Sequence, residues 1–127
     1  MTALVVFAHG SPIESANEAV RSFCAEVARA GNFRLIAAAF LESGRPDLAG
    51  AVSSLVLEGA TRVIVVPYFL TLGLHLQRDL PRIVDEIASS RHDLTLEIAP
   101  PLDGHPALVQ IVLDRAAPFD RDSELAR

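Results

Sequence analysis

The chain has 127 residues, half of them hydrophobic, and a formal net charge of −5. That length suits one domain with a core of its own, and the acidic balance argues against binding a nucleic-acid backbone. All eleven basic residues are arginine, which excludes Schiff-base chemistry and a Walker-type phosphate lysine. The single cysteine, Cys24, excludes an intramolecular disulfide and a cysteine-cluster metal site. The apolar runs fall well short of the roughly 20 residues that span a bilayer. No basic region precedes the first of them, so no signal peptide is expected, and the cytoplasm is the default location.

In chain order, Ala3–Ala8 reads as a buried strand running into His9-Gly10-Ser11-Pro12. A helix follows from about Ser15, with Val20, Phe23, Cys24, Val27 and Ala28 on its apolar face, and Gly31-Asn32 ends it. Arg34–Phe40 is a second strand and 41–45 a loop. Pro46 suits the first position of a second helix, with Asp47 favourable at that end. Leu48, Ala51, Val52 and Leu55 face inward, and Gly59 is its stop. Val63-Ile64-Val65-Val66 is short and β-branched, a strand buried on both faces that should end near Pro67.

The segment after that strand is unusual. Tyr68, Phe69, Leu70, Leu72, Leu74 and Leu76 are large and apolar where a surface loop is normally polar, with Gly73 and His75 among them. Such a loop suggests a pocket wall or an interface. A third helix is expected from about Gln77 to Ser90. Because Pro81 is tolerated best in a first turn, its start moves to near Asp79 or Leu80, with Leu80, Ile83, Val84 and Ile87 buried. Leu94–Ala99 alternates and reads as a strand nearer an edge. Gly104-His105-Pro106 leads into a last helix with Leu108, Ile111 and Val112 inward. Residues 116–127 lose periodicity and read as a loose tail after a single domain over residues 1–115.

Strands alternating with amphipathic helices imply a parallel sheet covered on both faces. The simplest arrangement is a doubly wound, flavodoxin-like α/β sheet of four strands in the order 2-1-3-4. Ligands bind such sheets beyond the carboxyl ends of the strands where the winding reverses, here between the first and third strands. His9 ends the first strand, Glu42 lies just past the second, and His75 lies in the loop after the third. Three potential metal ligands are therefore expected on one rim. Imidazole suits cobalt, nickel, iron and zinc, and neutral imidazole accepts protons near pH 7. The bland alternatives are a capping His9, an internally paired His75 and a solvated Glu42. His105 fits a capping role and His92 a solvated one. No G-x-G-x-x-G, G-x-x-x-x-G-K or G-x-S-x-G is present, which removes dinucleotide, P-loop and nucleophile-elbow sites.

These residues also resemble a family. His9-Gly10-Ser11, Phe40-Leu41-Glu42 before Pro46, Val65-Val66-Pro67-Tyr68-Phe69-Leu70 with Gly73-x-His75 and Asp79, and Gly104-His105-Pro106 together resemble the CbiX-type sirohydrochlorin chelatases in their short, single-domain form. The match runs in order over about residues 3–115. The resemblance implies insertion of a divalent metal (cobalt, nickel or ferrous iron) into sirohydrochlorin, for cobalamin or sirohaem-type tetrapyrrole biosynthesis. The metal is then a substrate, and no nucleotide is needed. His9 and His75 would hold the metal or accept pyrrole protons, with Glu42 as a third catalytic contributor. Substrate contacts are expected at Ser11, Arg45, Tyr68, Leu72 and Gly73. The implied assembly is a homodimer with the tetrapyrrole cleft between subunits, without membrane or nucleic-acid partners. One departure stands out: Pro12 occupies a position where H-G-S is commonly followed by arginine, and Arg45 or Arg78 could take over its role. Two other classes remain open, a non-catalytic carrier of metal or tetrapyrrole and a flavodoxin-shaped module with structural histidines.

Overall fold

The β-branched run at the N-terminus has parallel partners on both sides, and this fixes the architecture. In the computed structural model, which describes residues 1–122, β1 (Thr2–Ala8) lies between β2 (Leu35–Phe40) and β3 (Arg62–Pro67), and β4 (Thr95–Ile98) closes the far edge. The order is β2-β1-β3-β4 with every pairing parallel, the order expected from the alternation of strands and helices. Helices α1 (Glu14–Ala30), α2 (Leu48–Leu57), α3 (Leu74–Ser89) and α4 (Ala107–Ala116) follow the strands in turn.

Side chains alternate across the sheet. Ala3, Val5 and Phe7 of β1 join Val63 and Val65 of β3 in one core with Leu48, Ala51, Val52 and Leu55 of α2 and Leu80 and Val84 of α3. Val6 and Ala8 point the other way and meet Ala38, Phe40 and Cys24 of α1. Asp47 starts α2 as its N-cap, its carboxylate accepting the Gly50 N–H at 2.8 Å. Pro46 therefore lies one residue before the cap, not at the first helical position, and its peptide bond with Arg45 is cis. Gly59 ends α2 at φ +109°, a left-handed conformation that suits glycine.

Two expectations need correction. Helix α3 starts at Leu74, not near Asp79, because extended Gly73 caps it and the Gln77 N–H already bonds the Gly73 carbonyl at 3.0 Å. His75 thus sits in a helical first turn, not in a loop. Pro81 lies inside the helix on its exposed side, where the acceptor that proline leaves unpaired at Gln77 faces solvent. Flanking Leu80 and Val84 are buried, and their packing offsets the lost hydrogen bond.

Helix α4 is the second correction. Leu108 is half-buried, but Ile111 and Val112, expected inward, are 49% and 65% exposed. The reason is local: β4 is only four residues long, and Pro100-Pro101 turns the chain before α4 can lie along the sheet. The 3-10 turn Ala117–Phe119 follows the helix directly, and the helix's first residues, Ala107 and Leu108, line a pocket with Val66 of β3 and Pro100, Pro101 and Leu102. Ile64 and Val66 of β3 remain half-buried on that side. Of the expected loose tail, residues 123–127 lie outside the described residues. No described helix is long and apolar enough to cross a membrane.

Candidate active site

The pairing of β1 with β2 continues one step beyond both strands and brings two candidate residues together. The Leu41 N–H bonds the Ala8 carbonyl at 2.9 Å and the Glu42 N–H bonds the His9 carbonyl at 3.0 Å. His9 and Glu42 therefore stand side by side at the carboxyl rim. His9 Nε2 lies 3.5 Å from Glu42 Oε1, with the two side chains 61% and 62% exposed. The close approach depends on Gly10, at φ +90°, because a Cβ there would lie 1.7 Å from the Glu42 carbonyl oxygen.

The wall beside this pair is aromatic. The His9 ring meets Phe69 edge-on at 6.4 Å, and Phe69 packs on Phe7 at 6.2 Å. Tyr68 stacks on Phe23 of α1 at 4.8 Å. The segment is tied at its start: the Tyr68 N–H bonds the Phe7 carbonyl at 2.7 Å, and the N–H groups of Leu102 and Asp103 bond the carbonyls of Phe69 and Leu70. Leu70 and Leu74 remain 66% and 83% exposed. The result is an apolar ledge with His9 packed beside Phe69 and His75 near its C-terminal end.

His75, in the first turn of α3, is exposed. Its Nδ1 lies 3.2 Å from Arg78 Nη2. A guanidinium only donates, so where the two bond it is Nδ1 that accepts.

The other expected substrate contacts differ in availability. The Ser11 hydroxyl is engaged, accepting the Ile13 N–H at 3.0 Å. Gly73 faces open space, with nothing within 4 Å of the point a Cβ would occupy. Leu72 is half-buried, and its carbonyl accepts from the Gln77 amide at 2.8 Å. Arg45 is exposed and lines an open groove of about 1010 Å³ with Glu14, Arg21, Phe40, Glu42 and Asp47. Of the His9–Glu42 pair, Glu42 lines this groove.

Among the described residues no group of three or more His, Cys, Asp and Glu side chains is arranged to hold a metal ion. His9 and Glu42 form a two-donor pair, and His75, expected as a third ligand beside them, is not grouped with them. His105 is a capping residue, its Nδ1 accepting the Ala107 N–H at 3.0 Å, and His92 is exposed. Cys24 is buried, and burial pushes its thiol up, as befits a core residue.

One residue that sequence reasoning passed over is Asn17, the buried polar residue of the described chain at 1% exposure. Its carboxamide bonds both Ser11 and Ser43, one on each of the loops that carry His9 and Glu42. A signal existed. Asn17 lies on the same helical stripe as Val20, Cys24 and Val27, an amide where an apolar side chain belongs.

Comparison with known proteins bears on the whole chain. The CbiX family model matches residues 3–118. A sirohydrochlorin cobaltochelatase of Methanopyrus kandleri is 30% identical, the match covering 91% of this chain and 94% of that protein. A sirohydrochlorin cobaltochelatase of Methanocaldococcus jannaschii is 34% identical over 66% of this chain, and the match spans 59% of that relative's length. Among solved structures, SirB from Bacillus subtilis with Fe3+ superposes with a TM-score of 0.85 at 23% identity. That match covers 94% of this chain and 47% of that one.

Proposed function

The chain belongs to the CbiX family, and from that premise we propose that it inserts a divalent metal ion, cobalt, nickel or ferrous iron, into sirohydrochlorin in the cytoplasm. The observation that carries this reading is the His9–Glu42 pair, 3.5 Å apart on the open carboxyl rim and flanked by an aromatic ledge. Insertion exchanges two pyrrole N–H protons for one metal dication, so the site must deliver the metal, shed its water and accept two protons. An imidazole beside a carboxylate can do both: Nε2 binds the ion or takes a proton, and Glu42 relays the proton to solvent. The four pyrrole nitrogens supply the donors that a two-residue site lacks. The metal is a substrate that passes through.

Phe69, Leu70, Leu72 and Leu74 offer an apolar face for the macrocycle, and the open space at Gly73 lets a flat ring approach the backbone. Arg45 is placed in the open groove to meet a peripheral carboxylate, in the role that Pro12 cannot perform. A single copy supplies one wall, and a planar macrocycle is gripped better by two. The apolar surface of α4, with Val109 and Val112 at 66% and 65% exposed, suits burial against a second copy. The match to SirB takes up 47% of that chain, a length in keeping with the same assembly of two copies here, a homodimer with the cleft between subunits.

The test is the double substitution His9→Ala, His75→Ala. Both side chains are exposed, so the far-ultraviolet circular dichroism and the thermal midpoint are expected to persist while metal insertion falls to the spontaneous rate. Insertion retained by the double variant would refute the assignment. A metal-dependent spectral change in the native protein that stops at one equivalent would mark a carrier instead.

A further inference from the structure

A buried carboxamide that reaches two separate loops is an expensive object unless every polar atom is satisfied. Asn17 meets that condition. Its Oδ1 accepts the Ser11 N–H at 2.9 Å, and its Nδ2 donates to the Ser11 carbonyl at 2.8 Å and the Ser43 carbonyl at 3.0 Å. A longer contact of 3.4 Å runs to Glu14 Oε2. The two short acceptors match the two hydrogens of the amide nitrogen. The reversed orientation would set the amide oxygen against two carbonyls, so the network itself fixes which way the group points.

The geometry points to Asn17 as a positioning residue of the insertion site: its carboxamide ties the His9 loop to the Glu42 loop and so fixes the His9–Glu42 pair. Its kinetic part rests on the chelatase reading above. Besides Asn17, the Glu42 loop is held by Arg21, whose Nη2 donates to the Arg45 carbonyl at 2.9 Å, but that bond does not reach the His9 loop. His9 and Glu42 are exposed, and their approach depends on the Glu42 N–H bond to the His9 carbonyl at the end of a ladder. Such terminal bonds open readily unless braced. Asn17 supplies the brace two residues beyond His9, at Ser11, and one residue beyond Glu42, at Ser43. The adjacent backbone leaves room for it: a Cβ on Gly44 would lie 3.0 Å from Asn17 Nδ2 and 2.9 Å from Phe40 Cγ. Ser43 itself takes a positive φ of 54°, which turns its carbonyl segment under this constraint.

Asn17→Asp separates bracing from filling. An aspartate there still accepts the Ser11 N–H, but ionised it donates nothing and protonated it has one hydrogen for two carbonyls, so the double donation that joins the loops is lost while the volume is kept. Misplacing reacting groups by about 1 Å can cost roughly 100-fold in rate. The expected result is therefore a fall in kcat of at least about tenfold, with KM for sirohydrochlorin changed less than about twofold, because the apolar ledge is untouched. Amide exchange gives a second readout that needs no activity. Ser11 and Glu42 N–H protection is expected to drop in Asn17→Asp while the β1 and β3 core amides stay protected. A kcat within twofold of the native value, or unchanged Glu42 protection, would overturn the proposal even if the melting temperature falls, since a purely structural role lowers stability alone.

If Asn17→Asp does not fold, the native protein still decides the matter. The Asn17 side-chain amide protons are expected to exchange slowly and to show nuclear Overhauser contacts to both Ser11 and Ser43. Exchange at the rate of a free carboxamide overturns the brace. Native protein that inserts no metal would overturn the chelatase reading and with it the kinetic role, and the exchange arm would still judge the link between the loops.

Discussion

Replacing Gly10 by alanine probes the geometry on which the candidate site depends. Gly10 has φ +90°, where an L-residue costs about 1–2 kcal/mol. The new methyl would also overlap the Glu42 carbonyl oxygen at 1.7 Å and its carbon at 2.9 Å, both backbone atoms that cannot swing aside. The loop after β2 has to retreat, which sacrifices the Glu42–His9 backbone bond, worth about 1 kcal/mol. The expected total is about 2–3 kcal/mol. Two internal controls isolate the overlap. Gly59 and Gly104 also have positive φ, +109° and +81°, but a Cβ at either meets nothing within 4 Å. Alanine at those positions should cost only the backbone part, about 1–2 kcal/mol. Urea denaturation of the three variants reads the difference directly, and in thermal melts each kcal/mol corresponds to about 4 °C for a chain of this size. A Gly10→Ala variant no less stable than Gly59→Ala would refute the claimed contact between the two loops.

Other outcomes follow from the same structure. Asp47→Ala removes the cap of α2 and should cost about 1 kcal/mol in urea denaturation, since the carboxylate holds the Gly50 N–H at 2.8 Å; a change below a few tenths would show the cap to be idle. Hydrogen bonds from Arg62 hold the Glu97 carboxyl below the ordinary glutamate range. A depressed carboxylate lends stability above its unfolded value that is lost as pH falls through the folded one. The native protein should therefore lose its advantage over Glu97→Gln as pH drops from 6 toward 3, on the order of the range spanned by carboxylate titration. An advantage independent of pH would contradict the pairing. Gly73→Ala should leave stability within about 1 kcal/mol but slow insertion if the macrocycle approaches there; unchanged kinetics would move the substrate elsewhere.

Much of this was legible in the sequence for a physical reason. Parallel strands write themselves as β-branched runs such as Val63–Val66, although Ile64 and Val66 are only half-buried here, and their alternation with helices leaves few parallel orders. The meeting of His9 and Glu42 followed from the same topology, since both end adjacent strands. The misreadings came from tertiary terms. Pro81 is a strong local signal against a helix interior, yet the burial of Leu80 and Val84 outweighs one lost hydrogen bond on the exposed side. Ile111 and Val112 carry a core-like pattern but stand exposed, because periodicity reports an apolar face without saying what covers it. Asn17 was missed because a polar residue on an apolar stripe looks like a flaw until its three hydrogen bonds to two loops are seen. The contact between His75 and Arg78, three residues apart on one helix, is visible only once α3 is known to begin at Leu74.

The central claim is tested most directly by an anaerobic absorbance time course. The native protein is mixed with sirohydrochlorin and, separately, cobalt, nickel or ferrous iron, each against a control without protein. The account predicts a metal-dependent spectral change much faster than the control that continues through many equivalents of tetrapyrrole per protein. No acceleration with any of the three metals, from protein shown to be folded, would contradict it.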